Sequence, residues 1–428
     1  MNSKNELITI LQDWNFWDKS PDIGMPRPFN LSRLSQFLSS GQITVLAGPR
    51  RAGKSYLMRQ LARQLIDGGV PATQILIVNF EDPRLGELNS DFLENLFQAY
   101  ISTVAQAGKL YLMLDEIQEV DGWEKWVSTI HALGKASVVV TGSNAKLLSR
   151  ELGTVLTGRH LEMTVLPLSF REYQSFGATE PLSRLPGQSF RNYLEWGGFP
   201  AVVLSNVKKE MLLGYFSDII NRDILQRYRI RKPEAIRALS KYYISNTATL
   251  STFHSIEGHI GISRDTVEKF TTYMEQCYLI FSLKRFSFKV REQDKSPRKI
   301  YCVDSGLCNA AGFRFSENIG RLAENAVFLE LKRRQFLDAD MELFYWKDPQ
   351  HREVDFLVKK GMRPVSLIQV SWDLSNPKTK EREVRVLERA AKELGVNEVL
   401  VLTGDFAAEE TLNGVRVQYR PIENWLLE

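Results

Sequence analysis

The stretch "ITVLAGPRRAGKS" (43–55) decides the fold of the domain that contains it. An apolar run typical of a buried strand leads into G-x-x-x-x-G-K-S, the pattern of a phosphate-binding loop (P-loop) that opens a helix. Gly48 and Gly53 would let backbone N–H groups close around phosphate oxygens, aided by the helix dipole. Lys54 would bridge the β- and γ-phosphates, and the Ser55 hydroxyl would reach Mg²⁺. The alternative is a Gly-rich turn with a surface lysine.

The surrounding sequence alternates short apolar runs with amphipathic stretches. The predicted strands are "ITVLAG" (43–48), "ILIVNF" (75–80), "LYLMLD" (110–115), "SVVVTG" (137–142) and "LEMTVL" (161–166). Helices are predicted to begin near Ser55, Phe92, Trp123 and Ala145. Continuous Val/Ile/Leu strands alternating with helices favour a parallel sheet covered on both faces.

Two predicted strands end in polar residues suited to nucleotide hydrolysis. Asp115 would hold Mg²⁺ through water, and Glu116 would orient and deprotonate the attacking water. An isolated Asp-Glu pair is usually a solvated turn, but here a P-loop precedes it in an alternating α/β domain. At the end of "SVVVTGSN" a polar side chain would sense the γ-phosphate, although small polar residues also simply terminate strands. The predicted nucleotide-binding residues are Gly48, Pro49, Arg50, Arg51, Ala52, Gly53, Lys54, Ser55, Tyr56, Thr141 and Ser143, with Asn144 beside them.

The rest of the chain changes character twice. Residues 185–250 look helical, with "GGFP" (197–200) as a break. Two short helices joined through Gly261 and a charged β-hairpin follow, which is the winged-helix pattern. We predict Ser263 as the N-cap of the second helix, with a buried stripe on that helix. The stripe residues are Val267, Phe270 and Met274.

Several sequence blocks, in this order between residues 45 and 358, carry a family resemblance. They are "VLAGPRRAGKS", "LDEIQ", "VVVTGSN", "LTGRHLEMTVLPLSFREY", "GGFP", "KIYCVDSGL", "ENAVFLEL" and "EVDFLV". The chain resembles prokaryotic ATPases that join an AAA-type motor domain to a winged helix and a C-terminal domain of unknown function. That C-terminal domain looks like the PD-(D/E)xK, or restriction-endonuclease-like, fold.

The resemblance implies a multidomain α/β protein with five segments. They are an N-terminal helical segment (1–40), a P-loop AAA-type ATPase core (41–175), a helical lid (176–245), a winged helix (246–312) and a nuclease-like domain (313–428). Trp14, Phe16 and Trp17 in the first segment suit either a neighbour's surface or local core, and we favour local core.

The resemblance also points to a degenerate nuclease-like site. The hairpin "EVDFLVKKGMRPVSLIQVSW" (353–372), with its turn predicted at 359–364, places two acidic side chains on one face. Where the fold carries an E-x-K pair, this chain has glutamine and serine, so neither the charge nor the cation is supplied. The residues matching the site are Glu324, Glu353, Asp355, Gln369 and Ser371. We therefore expect no nuclease activity.

The same resemblance suggests an arginine that completes the site of a neighbouring subunit in a ring. Arg159 in "TGRH" is our first choice, Arg150 is the second, and Arg222 on the lid is a candidate sensor. Each is otherwise a surface arginine in a salt bridge.

Charge distribution bears on nucleic-acid binding more than the net charge of +4 does. Seven basic residues and two acids lie between Lys284 and Lys299, and an equal cluster spans 222–241. A cationic wing and recognition helix suit phosphate contact, although a charged hairpin is usually a solvated edge. The candidate DNA contacts are Arg264, Lys269, Lys289, Arg291, Lys295 and Arg298.

These observations predict an oligomeric, Mg²⁺-dependent ATPase that moves or remodels DNA. The alternative is a nucleotide-controlled switch whose winged helix and C-terminal domain bind a protein partner. Three cysteines are too few for a disulfide framework and are expected to be buried thiols. We find no apolar run near 18 residues and no signal-peptide pattern, so a cytoplasmic location without a membrane span is expected.

Overall fold

The chain folds into two compact units, residues 1–165 and 166–428. The structure, a computed structural model, describes residues 3–144, 158–177, 187–313 and 318–428. The helix predicted from about Ala145, and Arg150, lie outside these ranges. Each unit is described by itself.

The first unit is built on a parallel sheet in the order β2-β3-β4-β1-β5. Its strands are β1 (Ile43–Ala47), β2 (Ile75–Asn79), β3 (Leu110–Asp115), β4 (Ala136–Gly142) and β5 (His160–Thr164). All four strand pairings are parallel. Every residue of β1 is buried, as its apolar sequence predicts. The predicted parallel α/β sheet is therefore confirmed.

Five α-helices of this unit lie in the described residues. They are α1 (Lys4–Gln12), α2 (Pro28–Ser39), α3 (Lys54–Asp67), α4 (Ser90–Thr103) and α5 (Trp123–Ala132). The aromatic residues near the N-terminus pack inside the unit. Trp14 Nε1 donates to Asp82 Oδ2 at 2.9 Å, and Trp17 Nε1 donates to the Ile75 carbonyl at 3.0 Å. These contacts confirm the local-core interpretation, and residues 1–40 belong to the first unit.

The second unit begins with helices that pack around the "LPLSF" and "GGFP" stretches. They are α6 (Phe170–Gly177), α7 (Gln188–Trp196), α8 (Pro200–Val203), α9 (Lys208–Asp218), a π-helix (Ile219–Gln226) and α10 (Pro233–Ser245). The Leu168 N–H donates to the Gly198 carbonyl at 2.7 Å. A Cβ at Gly198 would lie 2.5 Å from the Leu168 carbonyl oxygen, so only glycine permits this approach. The predicted break at 197–200 is thus a close backbone crossing.

Two helices and a three-stranded sheet come next. They are β6 (Thr249–Ser251), α11 (Phe253–Ile260), α12 (Arg264–Gln276), β7 (Ile280–Leu283), α13 (Val290–Lys295) and β8 (Arg298–Cys302). The sheet order is β6-β8-β7, with both pairings antiparallel. Ser263 caps α12 by accepting from the Thr266 N–H, and the stripe of Val267, Phe270 and Met274 is buried, as predicted. The hairpin is also present, but its tip contains the helix α13.

The chain ends in a mixed six-stranded sheet in the order β13-β14-β12-β11-β10-β9. Its elements are α14 (Ser305–Ala311), α15 (Ile319–Leu337), β9 (Met341–Lys347), β10 (Glu353–Lys360), β11 (Arg363–Ser371), α16 (Pro377–Leu394), β12 (Glu398–Thr403), β13 (Ala408–Leu412), β14 (Val415–Pro421) and α17 (Ile422–Leu426). Strands β10 and β11 are antiparallel, and the turn between them is only residues 361–362, shorter than predicted. The sequence analysis missed β13 and β14.

Candidate functional site

The P-loop follows β1 directly and Lys54 is the first residue of α3. The Lys54 ammonium is buried and donates to the carbonyls of Gly48 and Pro49, at 3.0 Å in each case. Gly48 has φ +149°, and a Cβ there would lie 2.0 Å from the Val165 carbonyl oxygen. The loop therefore requires glycine at position 48 and turns its own carbonyls toward the lysine.

Asp115 and Glu116 lie where β3 ends, next to the end of β4. The Thr141 hydroxyl donates to Asp115 Oδ1 at 2.5 Å and accepts from the Glu116 N–H at 3.0 Å. Burial and the neighbouring Glu116 charge raise the pKa of Asp115. Adjacent parallel strands thus bring together residues that are distant in the sequence.

Glu116 lies beside the P-loop lysine. Its Oε1 is 3.7 Å from Lys54 Nζ, and both side chains are almost fully buried. Gln118 Nε2 donates to the other carboxylate oxygen at 2.5 Å. Glu116 has a left-handed backbone with φ +53°, an uncommon conformation for a non-glycine residue. The acidic side chain is held beside the loop rather than in a solvated turn.

The polar residues at the end of β4 differ in their hydrogen bonding. Thr141 is engaged with Asp115 and Glu116, as described. Ser143 is fully buried, and its hydroxyl has no hydrogen-bond partner among the described residues. Asn144 is also buried. A buried hydroxyl without a hydrogen-bond partner costs about 1–3 kcal/mol, which sets Ser143 apart from Thr141.

The remaining P-loop residues have varied environments. Arg50 forms an ion pair with Glu81 at 2.5 Å, and Ala52 is fully buried. Arg51 is exposed and has a left-handed backbone with φ +67°. Tyr56 has 43% of its surface exposed. The loop therefore combines a buried inner edge with two accessible side chains, those of Arg51 and Tyr56.

Sequence reasoning missed the support that the N-terminal segment gives the P-loop. The buried Arg27 guanidinium donates to the Ala52 carbonyl at 2.9 Å. Gln60 Nε2 donates to the carbonyls of Ile23 and Met25, at 2.9 and 2.8 Å. Nothing in a lone arginine between two prolines signalled this contact.

Of the candidate arginines, only Arg159 lies within the described residues of the first unit. The Arg159 side chain is exposed, and its carbonyl accepts from the Ile43 N–H at 3.1 Å. The described part of the chain contains no hydrogen bond from the Arg159 side chain to the P-loop. Arg222 lies on the π-helix of the second unit.

Most candidate DNA contacts are on the surface of the second unit. Arg264, Lys269, Lys289, Arg291 and Lys295 are exposed, and Arg298 is half-buried. Two other residues of the basic stretch have acidic partners: Lys284 pairs with Asp294 at 2.8 Å at the surface, and the buried Lys299 has 3% of its surface exposed. The cationic surface of the hairpin is therefore smaller than the sequence predicted.

The nuclease-like candidates do converge, but around a lysine. Lys299 Nζ lies 2.7 Å from Glu324 Oε1, 2.7 Å from Glu353 Oε1 and 2.8 Å from Asp355 Oδ1. The prediction that Glu353 and Asp355 share a face is confirmed. Lys299 stands within the basic stretch 284–299 of the sequence, but its side chain points into this cluster and not to the surface.

Gln369 and Ser371 have separate environments. Gln369 Oε1 accepts from the Asp355 N–H at 3.2 Å, and its Nε2 donates to Glu383 Oε2 at 2.9 Å. Gln369 therefore braces Asp355. Ser371 is half-buried and lies opposite Thr403 in the register of β11 and β12.

Within residues 3–144, 158–177, 187–313 and 318–428, no group of three or more His, Cys, Asp or Glu side chains is arranged to hold a metal ion. None of the helices in the same ranges combines the length and apolar character that a bilayer crossing requires. The three cysteines are all buried, as predicted.

Three family models match the chain. Residues 40–174 match an AAA domain, residues 187–318 match a domain of unknown function (DUF8612), and residues 319–421 match another (DUF4143). The AAA match covers the P-loop, β3 and β4, which carry the site described above.

Two relatives extend over most of the chain. The uncharacterized protein MJ1544 of Methanocaldococcus jannaschii is 35% identical over 377 residues, covering 85% of this chain and 81% of the relative. An uncharacterized protein of Haemophilus influenzae is 29% identical over 408 residues, covering 93% of this chain and 97% of the relative.

The solved structures that resemble this chain have a lower sequence identity to it than these two relatives do. The Walker-type ATPase PABY2304 of Pyrococcus abyssi has a TM-score of 0.47 and 14% identity, covering 70% of this chain and 99% of its own. AMPPCP-bound DnaA from Aquifex aeolicus has a TM-score of 0.33 and 13% identity, covering 61% and 93%. The chain belongs to the family of MJ1544, and its first unit is an ATPase domain of the AAA type.

Proposed function

We propose that the first unit binds ATP with Mg²⁺ and hydrolyses the nucleotide. One observation carries the proposal: a P-loop lysine, two acidic side chains and a buried serine hydroxyl without a described partner lie at the same edge of the sheet. The edge is formed by the carboxyl ends of β1, β3 and β4, where α/β folds bind ligands. We assign the working roles to Lys54, Ser55, Asp115, Glu116 and Ser143.

The residues fit a magnesium nucleotide. Mg²⁺ prefers oxygen ligands, which the Ser55 hydroxyl and the Asp115 carboxyl would supply. Lys54 is held by two neutral carbonyls, which an anionic phosphate would outcompete. Bound Mg²⁺ would neutralise charge on the β- and γ-phosphates during hydrolysis.

The chain's own residues would then act in concert. Glu116, 3.7 Å from Lys54, would accept the proton of the attacking water. The Thr141 hydroxyl would fix the positions of the Asp115 carboxylate and the Glu116 backbone through its two hydrogen bonds. The Ser143 hydroxyl would donate to the γ-phosphate. Exposed Arg159 would contact the nucleotide of a neighbouring subunit, so we also propose a homo-oligomer.

For the second unit we propose a winged helix followed by a degenerate nuclease-like domain, with boundaries near 246–312 and 313–428. The order of α10, β6, α11, α12, β7 and β8 supports the first, and the acidic positions on α15 and β10 support the second. We propose that exposed cations on α12 and the hairpin contact the DNA backbone, with the ATPase driving movement or remodelling.

A second candidate function is a nucleotide-controlled switch that binds a protein partner. The specific observation in its favour lies at the hairpin tip, where Phe288 and Val290 have 78% and 71% of their surfaces exposed. Large exposed apolar side chains close together suit a protein contact. They interrupt the cationic surface on which the DNA proposal depends.

Steady-state ATP hydrolysis with single-stranded, duplex or branched DNA separates the two proposals. Lys54→Ala is the blank, and Lys125→Ala, an exposed lysine on α5, is the matched control. Stimulation of several-fold by one DNA type, absent in the blank, supports a DNA-associated motor. Hydrolysis indifferent to every DNA favours the switch, and no Lys54-dependent hydrolysis contradicts the ATPase proposal.

A further inference from the structure

One side chain of strand β8, that of Lys299, is a buried cation that contacts the C-terminal sheet. The Lys299 side chain is 4% exposed, and its ammonium contacts three carboxylates at 2.7–2.8 Å. An ammonium group has three N–H donors, so the three carboxylates satisfy it completely.

The three carboxylates come from elements far from β8 in the sequence. Glu324 is on α15, and Glu353 and Asp355 are on β10. The Tyr301 hydroxyl reinforces the connection by donating to Glu324 Oε1 at 2.7 Å. Because side chains alternate along a strand, Lys299 and Tyr301 leave β8 on the same face. That face of β8 is therefore fastened to the helix and the strand that supply the cluster.

The backbone of β8 is fastened at the next position too. Buried Asn325 accepts from the Cys302 N–H at 2.9 Å and donates to the Cys302 carbonyl at 3.0 Å. The Tyr301 ring stacks on Phe328 with a centroid distance of 4.0 Å. The ion cluster lies at one end of a continuous contact between β8 and α15.

We propose that Lys299 is the resident cation of this carboxylate cluster, occupying the place that a divalent metal ion would otherwise take. The native chain then binds no metal there, and the cluster's role is to tie β8 to the C-terminal sheet. The proposal does not depend on the ATP site in the first unit.

The geometry suits an exchange between ammonium and metal. Calcium–oxygen distances are about 2.3–2.6 Å, so the three oxygens would need to approach the centre by only about 0.1–0.5 Å. The Asp355 backbone N–H already donates to Gln369 Oε1, which holds Asp355 in place. A compact cluster of oxygens with a fixed shape would remain once the lysine side chain is removed.

The electrostatics favour retaining the ammonium charge in the native chain. Burial alone lowers the pKa of Lys299, but the charges of Asp355 and Glu324 outweigh it and hold the pKa well above its ordinary value. An enclosed cation of this kind excludes a second one.

Lys299→Met tests the proposal, with Lys295→Met as the matched control at an exposed lysine on the same hairpin. The first variant should lower the thermal midpoint by on the order of 10 °C, because three buried carboxylates lose their cation. The control should remain within about 2 °C of wild type. Adding Ca²⁺ or Mn²⁺ should raise the midpoint of Lys299→Met and leave wild type unchanged. Asp355→Asn in the Lys299→Met background should abolish that metal response.

A measurement on the wild-type protein tests the proposal even if Lys299→Met does not fold. Amine acetylation followed by mass spectrometry should modify Lys295 at least tenfold faster than Lys299, with or without Mn²⁺. The proposal is overturned by rapid acetylation of Lys299 or by Mn²⁺ binding at the cluster in wild type. It is equally overturned if Lys299→Met folds without gaining a metal response.

Discussion

Replacing Thr141 by valine removes two hydrogen bonds at the acidic end of β3 while keeping nearly the same side-chain shape. The hydroxyl is fully buried, donates to Asp115 at 2.5 Å and accepts from the Glu116 N–H at 3.0 Å. An unpaired buried N–H costs about 1–3 kcal/mol, and a lost bond to a charged group about 1.5–3 kcal/mol. We therefore expect a loss in the free energy of unfolding of about 3 kcal/mol.

The same substitution should reduce kcat for ATP hydrolysis by about 10- to 100-fold, because each factor of ten corresponds to about 1.4 kcal/mol of misplaced catalytic geometry. Thr141→Ser keeps the hydroxyl and should recover most of the rate. Thr129→Val, at an exposed hydroxyl on α5, is the control for the chemical change. Denaturant unfolding and steady-state hydrolysis measure both effects. Wild-type stability and kcat in Thr141→Val would refute this account of the site.

Three further outcomes follow from the structure. Glu116→Gln should bind ATP with unchanged affinity and hydrolyse it at least 100-fold more slowly; a rate near wild type would assign the base elsewhere. Burial raises the pKa of Asp304 from 3.8 to about 6. The folded state therefore holds that proton more tightly, and stability should fall by about 2 kcal/mol as the pH rises from 4 to 6. Asp304→Asn should flatten this profile, and an unchanged slope would contradict the assignment. Wild type should not nick supercoiled DNA with Mg²⁺ or Mn²⁺, because Lys299 fills the acidic cluster; nicking abolished by Asp355→Asn would overturn that expectation.

The arrangement of side chains around the P-loop was predictable because its signals are local. The P-loop is one short motif, and the acidic pair follows a strand whose apolar run identifies it. Parallel pairing then dictates that the ends of β3 and β4 meet, which brings Thr141 to Asp115. The sequence did not reveal that Thr141 supports Asp115, while the Ser143 hydroxyl has no partner among the residues that the structure describes. That division depends on side-chain directions at strand ends.

Contacts across long sequence separations were the ones missed. Arg27 reaches Ala52 from 25 residues away, and Lys299 reaches Asp355 from 56 residues away. In the sequence each is one basic residue among many, and Lys299 stands within a cationic run. Only the fold, by directing β8 against the C-terminal sheet, separates it from its exposed neighbours.

For the glycines of "GGFP", the sequence predicted the position of the helix break but not the packing that causes it. The sequence indicated a break in the helices. The structure adds a packing reason, because Gly198 receives the Leu168 backbone and donates its own N–H to Asp304 Oδ2 at 2.7 Å. Glycine and proline residues in a sequence indicate where a helix ends, but they do not indicate which distant segment packs at that point.

The two faces of β8 bear on how this architecture can evolve. Ile300 and Cys302 belong to the core around α10 and α12, whereas Tyr301 belongs to the core of the C-terminal sheet. A single strand therefore serves two cores, and neither can be exchanged for a foreign module without rebuilding the other. We expect recombination among relatives to respect this strand, so that the two parts are inherited and replaced as one piece.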